Sequence, residues 1–442
     1  MKRATALRLG LAAALTAAAA VLGAARPAAA DPSGYLAPEG DEQTLKKAAA
    51  YFDKGVAYLD QGARGPALSA FRRAAKLCPG FFEARYNVAK LEGDAGGRDK
   101  AIAELEALGR DFPANVRAFS DLGQLLVETD AEAAGRAFAT AVANGEKLLT
   151  DKAIKAAGEN TLAQLAVDLA FAYHNRGAWR LATGDLKGAE ADFTRSIRLK
   201  DDNFFSHYGL GLALLQQGHF EAARAALKRA KELKRSFADC SIALARTYLS
   251  STPPQPAFAL AELKEVEALT GRIAQLEELY GDAYRLQEDF PTAIKHYDNA
   301  LDLGADPHAI ALKRALVDRA QGDREAARRR LRDCLTHTND PAIKVRARMQ
   351  LGGLAELDED FATAAEHFAA ALALDPDAHP ARLRLGVCLY RTGKPDEAAG
   401  ALTAVIEHYG DAPPAALADD LALARKLLDK IRTAGDNETH ND

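Results

Sequence analysis

Apolar positions along this chain return in a paired-helix rhythm. In "YFDKGVAYLDQGARGPALSAFRRAAKLCPG" (residues 51–80), two amphipathic stretches flank a Gly-containing turn, with Gly55, Tyr58, Ala67, Phe71 and Ala74 at helical spacing. The pattern then recurs. Gly55, Ala89 and Gly123 are 34 residues apart, as are Gly177, Gly211 and Ala245, Gly281 and Ala315, and Gly352 and Gly386. Twelve residues after most of these comes an alanine: Ala67, Ala101, Ala189, Ala223, Ala293, Ala327, Ala364 or Ala398. Four further on comes a bulky residue: Phe71, Leu105, Phe193, Leu227, Tyr297, Leu331, Phe368 or Leu402. Self-similarity at this period predicts an array of short helix pairs.

Each repeated position has a physical reason. A small residue in the first helix lets the second helix approach closely. The alanine early in the second helix receives a neighbour's bulky side chain. The large residue four positions later lies on the same helical face and fills the gap between units. Pro79, Pro113, Asp201 and Pro376 close their units, where proline cannot continue a helix. The turns "QGA" (61–63), "TGD" (183–185), "QGD" (321–323) and "TGK" (392–394) reverse the chain between paired helices.

The breaks in the rhythm divide the chain. The third unit is one residue short, Ala134 and Phe138 carrying its closing half. Residues 142–169 do not fit and are expected to be extra helical material, and "STPPQP" (251–256) interrupts the sixth unit. The expected organisation is a flexible lead-in at 31–47, repeat blocks at 48–141, 170–250 and 251–412, a C-terminal capping helix at 413–435 and a disordered tail at 436–442.

This pattern resembles the tetratricopeptide repeat family, by "LGGLAELDEDFATAAEHFAAALALDP" (351–376) as much as by residues 51–80. The resemblance spans roughly residues 48–412. It implies an all-α solenoid of about ten stacked helix-turn-helix repeats forming a right-handed superhelix. It also implies a concave groove, lined by the first helices, that holds protein segments. Carried over residue by residue, the groove positions fall on Tyr86, Lys90, Arg117, Gln124, His174, Tyr208, Arg246, Asp282, Arg285, Arg319, Glu356 and Tyr390. Aromatics with both signs of charge suit side-chain-specific contact with a protein better than uniform polyanion binding. Some family members grip a chaperone's C-terminal carboxylate with a Lys/Asn set over three repeats. Here Asn87 and Arg117 match, but Phe52 and Val56 occupy the first two clamp positions and Asp121 would repel a carboxylate, so that clamp is absent.

Ahead of the repeats, Lys2, Arg3 and Arg8 precede "LGLAAALTAAAAVLGAA" and the small-residue run "RPAAADPSG". This is the layout of a secretory signal peptide (1–30), with cleavage expected after Ala30. A retained membrane anchor is the alternative, disfavoured by the alanine content and short apolar run. Export with high Ala and Arg content reads as bacterial and periplasmic. Losing the four positive charges of that segment moves the formal charge from −5 to −9, which gives no general attraction to nucleic acid or anionic lipid. Hydrophobic residues at 48% exclude wholesale disorder, and aromatics at only 7% favour packed helices over a sandwich. Cys78, Cys240, Cys334 and Cys388 form no C-x-x-C pair and are expected to be packed free thiols.

Catalytic motifs are missing. No metal-protease, nucleophile-elbow, phosphate-loop or paired-Cys zinc pattern occurs, and no cofactor or metal is expected. "GLGLALLQQG" (209–218) has Leu214 where a third glycine would stand. His367 and His379 are far likelier capping or solvent-facing groups than metal ligands. "REAARRRLRD" (324–333) reads as a solvated outer face, and Trp179 as core between repeats. The expected function is a non-catalytic scaffold of the cell envelope, assembling a machine such as a pilus, gliding, secretion or outer-membrane apparatus. The alternative is an envelope enzyme, or an activator of a cell-wall-modifying enzyme, with Asp282, Glu278 and His308 converging in the groove. Self-association is a third expectation.

Overall fold

A computed structural model describes residues 41–410 and 417–439. Residues 1–40, which include the expected signal peptide, residues 411–416 and residues 440–442 lie outside them. Among the described residues every regular element is a helix. Two compact units divide the chain at Ala213/Leu214, with Glu232–Lys234 grouped with the first. That division falls inside the expected block 170–250 rather than at either break in the rhythm.

In the first unit, α1 (Glu42–Asp60) pairs with α2 (Arg64–Leu77), α3 (Phe82–Asp94) with α4 (Arg98–Asp111), and α5 (Val116–Leu126) with α6 (Ala131–Thr150). A short α7 (Lys152–Ala156) leads to α8 (Glu159–Thr183), which pairs with α9 (Leu186–Leu199); α10 (Phe204–Gln216) starts in this unit and crosses the division. The second unit contains most of α11 (Phe220–Leu233), then α12 (Ala238–Ser250) with α13 (Pro256–Thr270) and α14 (Ala274–Leu286) with α15 (Phe290–Asp302). There follow α16 (Pro307–Ala320) with α17 (Arg324–His337), α18 (Pro341–Leu357) with α19 (Phe361–Leu374), and α20 (His379–Arg391) with α21 (Pro395–Tyr409). Helix α22 (Ala418–Thr439) packs on α20 and α21 and covers the last apolar face. Within each unit, helices touch chiefly their neighbours in sequence, which is how a solenoid is built.

The repeated residues are the core. Every alanine of the period, from Ala67 to Ala398, is buried, and so is every bulky partner from Phe71 to Leu402. A ring from the second helix lies flat on the glycine of the first. A Cβ placed on Gly55, Gly123, Gly281 or Gly352 would come closer than 3.0 Å to Phe71, Phe138, Tyr297 or Phe368 respectively. Phe193 does double duty, lying on Gly177 of its own pair and on Gly209 of the next. Burying one such ring stabilises by about 2–3 kcal/mol, so the glycine is the condition for that gain. In the sixth pair the insertion displaces the register by two residues, and Ala259 and Leu263 take the buried positions.

Residues 142–169 contribute apolar side chains to the core of the first unit. Ala141, Val142, Leu148, Ile154, Leu165 and Leu169 form one core with Val116 and Tyr173, so α6 and α8 are simply long helices. The lead-in is shorter than expected. Asp41 accepts hydrogen bonds from the Gln43 and Thr44 N–H groups and starts α1 at Glu42, whose acidic side chain suits that end. At the other terminus α22 begins later than residue 413 and continues past 435, into the segment expected to be tail. Turns use glycine at positive φ, as at Gly62, Gly184, Gly322 and Gly393. Asp185 and Asp323 then cap the following helices through Gly188 and Ala326 N–H. At two turns Glu288 (φ 62°) and Glu359 (φ 58°) stand where the others have glycine.

Candidate partner-binding surface

The twelve side chains expected to line a groove all lie on first helices, but they have different fates. In the first unit most are consumed by polar networks inside the protein. Tyr86 is buried and donates its hydroxyl to Asp121 Oδ2 at 2.6 Å. Burial, then the Asp121 carboxylate, pushes that phenol well above its ordinary value, and burial likewise raises Asp121. Arg117 bonds Glu83 on the preceding first helix and Asp168 on α8, at 3.2 Å to Asp168 Oδ2. Its guanidinium lies 5.3 Å and 5.1 Å from the ring centroids of Phe82 and Tyr86. Asn87 donates to its own helix at Glu83 O, so no residue of the chaperone-type clamp is free to act.

His174 is only 2% exposed, between Phe193 and Phe205. Ser196 Oγ donates to Ala170 O, so the 2.8 Å Ser196–Ser206 contact makes Ser206 the donor. Ser206 must then accept from His174 Nδ1–H at 3.2 Å, which fixes the neutral tautomer and leaves Nε2 buried without a partner. Burial lowers this imidazole to about 4. Tyr208 is buried as well. Tyr86, His174 and Tyr208 are therefore corrected from groove contacts to interior residues, because partners on adjacent helices or tight packing enclose them. Lys90 and Gln124 remain partly open.

The second unit keeps more of its first-helix charge at the surface. Arg246 and Arg319 are exposed. Asp282 accepts from the Tyr297 hydroxyl at 2.9 Å and pairs with Lys313, which also reaches Glu278 at 3.7 Å. Burial raises the Glu278 carboxyl. Arg285 adjoins the Tyr297 hydroxyl, yet its Nε is buried with no hydrogen-bond partner. Glu356 pairs with Arg384 and accepts from Cys388 Sγ at 3.6 Å. Tyr390 is partly buried against the α20–α22 core, so its ring is shared with the cap.

Other singled-out residues have local explanations. Asp282 and Glu278 meet at Lys313, whereas His308 lies in the first turn of α16. Five residues separate His308 from Lys313, roughly 140° around the helix. His367 adjoins Arg348 at 3.2 Å, while His379 stacks on His408. Trp179 donates Nε1–H to Ala131 O at 3.0 Å and covers Gly135, packing α8 on α6. All four cysteines are buried free thiols, and burial pushes Cys240 and Cys388 up to about 12.

Tetratricopeptide-repeat family models match residues 180–236, 312–378 and 357–421. Over those stretches the chain carries tetratricopeptide repeats. Comparison with curated proteins gave no match. Among solved structures, yeast Tom70 is similar at TM-score 0.50 and 12% identity, covering 88% of this chain and 96% of its own. A tetratricopeptide repeat protein from Parabacteroides merdae has TM-score 0.39 and 15% identity, over 62% of this chain and 99% of that one. YrrB, described as having an unusual peptide-binding site, has TM-score 0.37 and 17% identity, over 49% of this chain and 97% of that one. The Tom70 likeness supports the all-helical repeat fold.

Proposed function

We propose that this tetratricopeptide-repeat protein is a non-catalytic scaffold that holds segments of partner proteins on its first helices and helps assemble a cell-envelope machine. One observation carries the reading. The core is closed by the repeated alanines, glycines and large side chains, so polar first-helix residues such as Gln124, Arg246 and Arg319 are not needed for folding. Side chains of both charges on successive helices suit an irregular protein segment better than a uniform polymer. The enzyme reading has less support, since the Asp282 and Glu278 carboxylates are held by Lys313.

Export is part of the proposal and rests on Lys2, Arg3 and Arg8 ahead of an alanine-rich apolar run. Among the described residues, no helix is long and apolar enough to cross a membrane. Cell fractionation with N-terminal sequencing of the mature form tests this part, and a cytoplasmic chain starting at Met1 refutes it.

Binding is tested by photo-crosslinking in the native host from Gln124, Arg246 and Arg319, with Arg332 on a second helix as control. Discrete adducts from the first-helix positions alone support the scaffold. Equal labelling from Arg332, or a hydrolytic activity of the purified protein abolished by Asp282→Asn, overturns it.

A further inference from the structure

Helix α13 differs from the other second helices on its solvent side. Elsewhere the long side chains on that side are charged, as with Arg72 and Arg73 on α2, Arg195 and Arg198 on α9 and Arg332 on α17. On α13 the exposed residues include Phe258, Ala261, Lys264, Glu265, Ala268 and Leu269. Phe258 is 59% exposed and Leu269 57%, the two most exposed large apolar side chains among the described residues. An interval of eleven residues is about three helical turns and returns to within roughly 20° of the same direction. Both therefore stand on one stripe.

The residue just before the buried alanine is Pro66, Lys100, Gly188, Thr292 or Thr363 in other pairs, and Phe258 in this one. Its ring centroid lies 5.4 Å from that of Tyr248, which fixes the ring at the surface without enclosing it. A single exposed apolar residue is ordinary, but two large ones on one stripe with alanines between them make a contact surface.

The stripe itself indicates what covers it. Read in either direction, it runs from a large apolar residue through an alanine, two opposite charges and an alanine to a large apolar residue. Its midpoint falls between Lys264 and Glu265. A second α13 laid antiparallel about a two-fold axis at that point sets each Lys264 against Glu265 of the other copy. It also brings Ala261 onto Ala268 and Phe258 beside Leu269. A parallel copy would instead oppose Lys264 to Lys264. Glu265 already meets Lys231 at 2.6 Å, yet its side chain is 61% exposed and has room for a second cation.

We propose that the protein pairs with a second copy of itself through this face of α13, antiparallel and two-fold symmetric. The inference goes beyond the scaffold reading and does not depend on it. One helix face per copy is a small interface, so the dimer is weak, forming at about 10–100 µM. Because α13 is a second helix, pairing there leaves the first helices open and doubles the number of partner segments that one assembly can hold.

Sedimentation velocity of the full chain over about 1–300 µM tests this, with a reversible monomer–dimer equilibrium expected. Phe258→Ser and Leu269→Ser are each expected to weaken the dimer about tenfold. Leu269→Ser should do so without lowering the melting temperature of the monomer. Lys264→Glu and Glu265→Lys each place like charges across the axis and should weaken it by a similar factor. The double swap restores opposite charges and should recover the dimer, with Glu262 still holding Lys231. A monomer at every concentration overturns the proposal. So does a dimer untouched by Leu269→Ser and Lys264→Glu, which would place the interface elsewhere. Failure of the double swap to recover what the single changes lose refutes the antiparallel register.

Discussion

The two units use the same repeat and treat its inner polar positions in opposite ways. In the first, two polar networks run across successive helices, one joining Tyr86 to Asp121 and Arg117 to Glu83 and Asp168, the other joining His174 to Ser206 and Ser196. In the second, Arg246 and Arg319 are exposed. The backbone register is therefore not what makes a surface able to bind. What matters is whether a repeat's polar side chains find partners within the protein. On this argument the first unit spends its inner polar side chains on internal pairing, and the second leaves Arg246 and Arg319 at its surface.

The sharpest way to break the comparison is to remove a locked partner. Asp168 is 3% exposed and receives Arg117 and the Gln164 amide. Asp168→Ala removes one of the two carboxylates that Arg117 meets, leaving Glu83, and is expected to destabilise the first unit by about 3 kcal/mol. Urea unfolding measures it. A loss no larger than that of Arg319→Gln means that the two units do not differ in kind.

A second experiment reads the other buried network of the first unit, around His174, through pH. His174 is held neutral, so its folded value of about 4 lies below the unfolded value near 6.5. Below pH 6.5 the unfolded chain binds a proton that the folded chain refuses. Stability is thus complete above pH 6.5 and declines as pH falls towards 4, by about 3 kcal/mol in total. Between pH 6.5 and 5, ahead of most carboxylate titration, His174→Asn is expected to flatten that decline in a series of melting curves. An unchanged slope shows that His174 is not the group responsible.

The collar between glycine and ring gives the next effect and should be common to both units. Gly281→Ala pushes a methyl into Tyr297, and Gly55→Ala into Phe71, each at a cost of about 1–3 kcal/mol. Gly400→Ala, on a helix with open space around it, is expected to stabilise by roughly 1 kcal/mol. Chemical denaturation of the three variants checks the signs. A cost confined to Gly55→Ala would mean that the second unit is packed less tightly than its buried alanines imply.

That collar was the most legible feature of the sequence, because period and side-chain volume both report it: aromatics face Gly55, Gly281 and Gly352, and Leu105 and Leu331 follow Ala89 and Ala315. The sixth pair was not legible. A loop at 251–255 shifts Ala259 and Leu263 by two residues, and a fixed interval passes over them. Groove positions were legible only as addresses. Tyr86 and His174 stand at inner positions, but their hydrogen-bond partners Asp121 and Ser206 lie 35 and 32 residues away, on the next first helix. Whether two polar residues one repeat apart pair or stay free depends on side-chain reach, which periodicity does not encode. The signal available was a surplus of Ser, Asn and Asp, as at Ser120, Asp168 and Asn175, on faces whose counterparts elsewhere are apolar. The start of α1 was legible too, in the Asp41 cap before "EQTL".

The smallest effect separates the units at their turns. In the first unit Gly62, Gly96 and Gly184 occupy left-handed positions, where the missing Cβ avoids a clash with the backbone. In the second, Glu288 and Glu359 adopt the same conformation in "QED" and "DED", just ahead of the caps Asp289 and Asp360. A non-glycine residue there costs about 1–2 kcal/mol, partly offset by its smaller entropy loss on folding. Glu288→Gly is therefore expected to raise stability by roughly 1 kcal/mol, measured by denaturant midpoint. If stability is unchanged, the turn is already relaxed and the second unit's departure from glycine carries no strain.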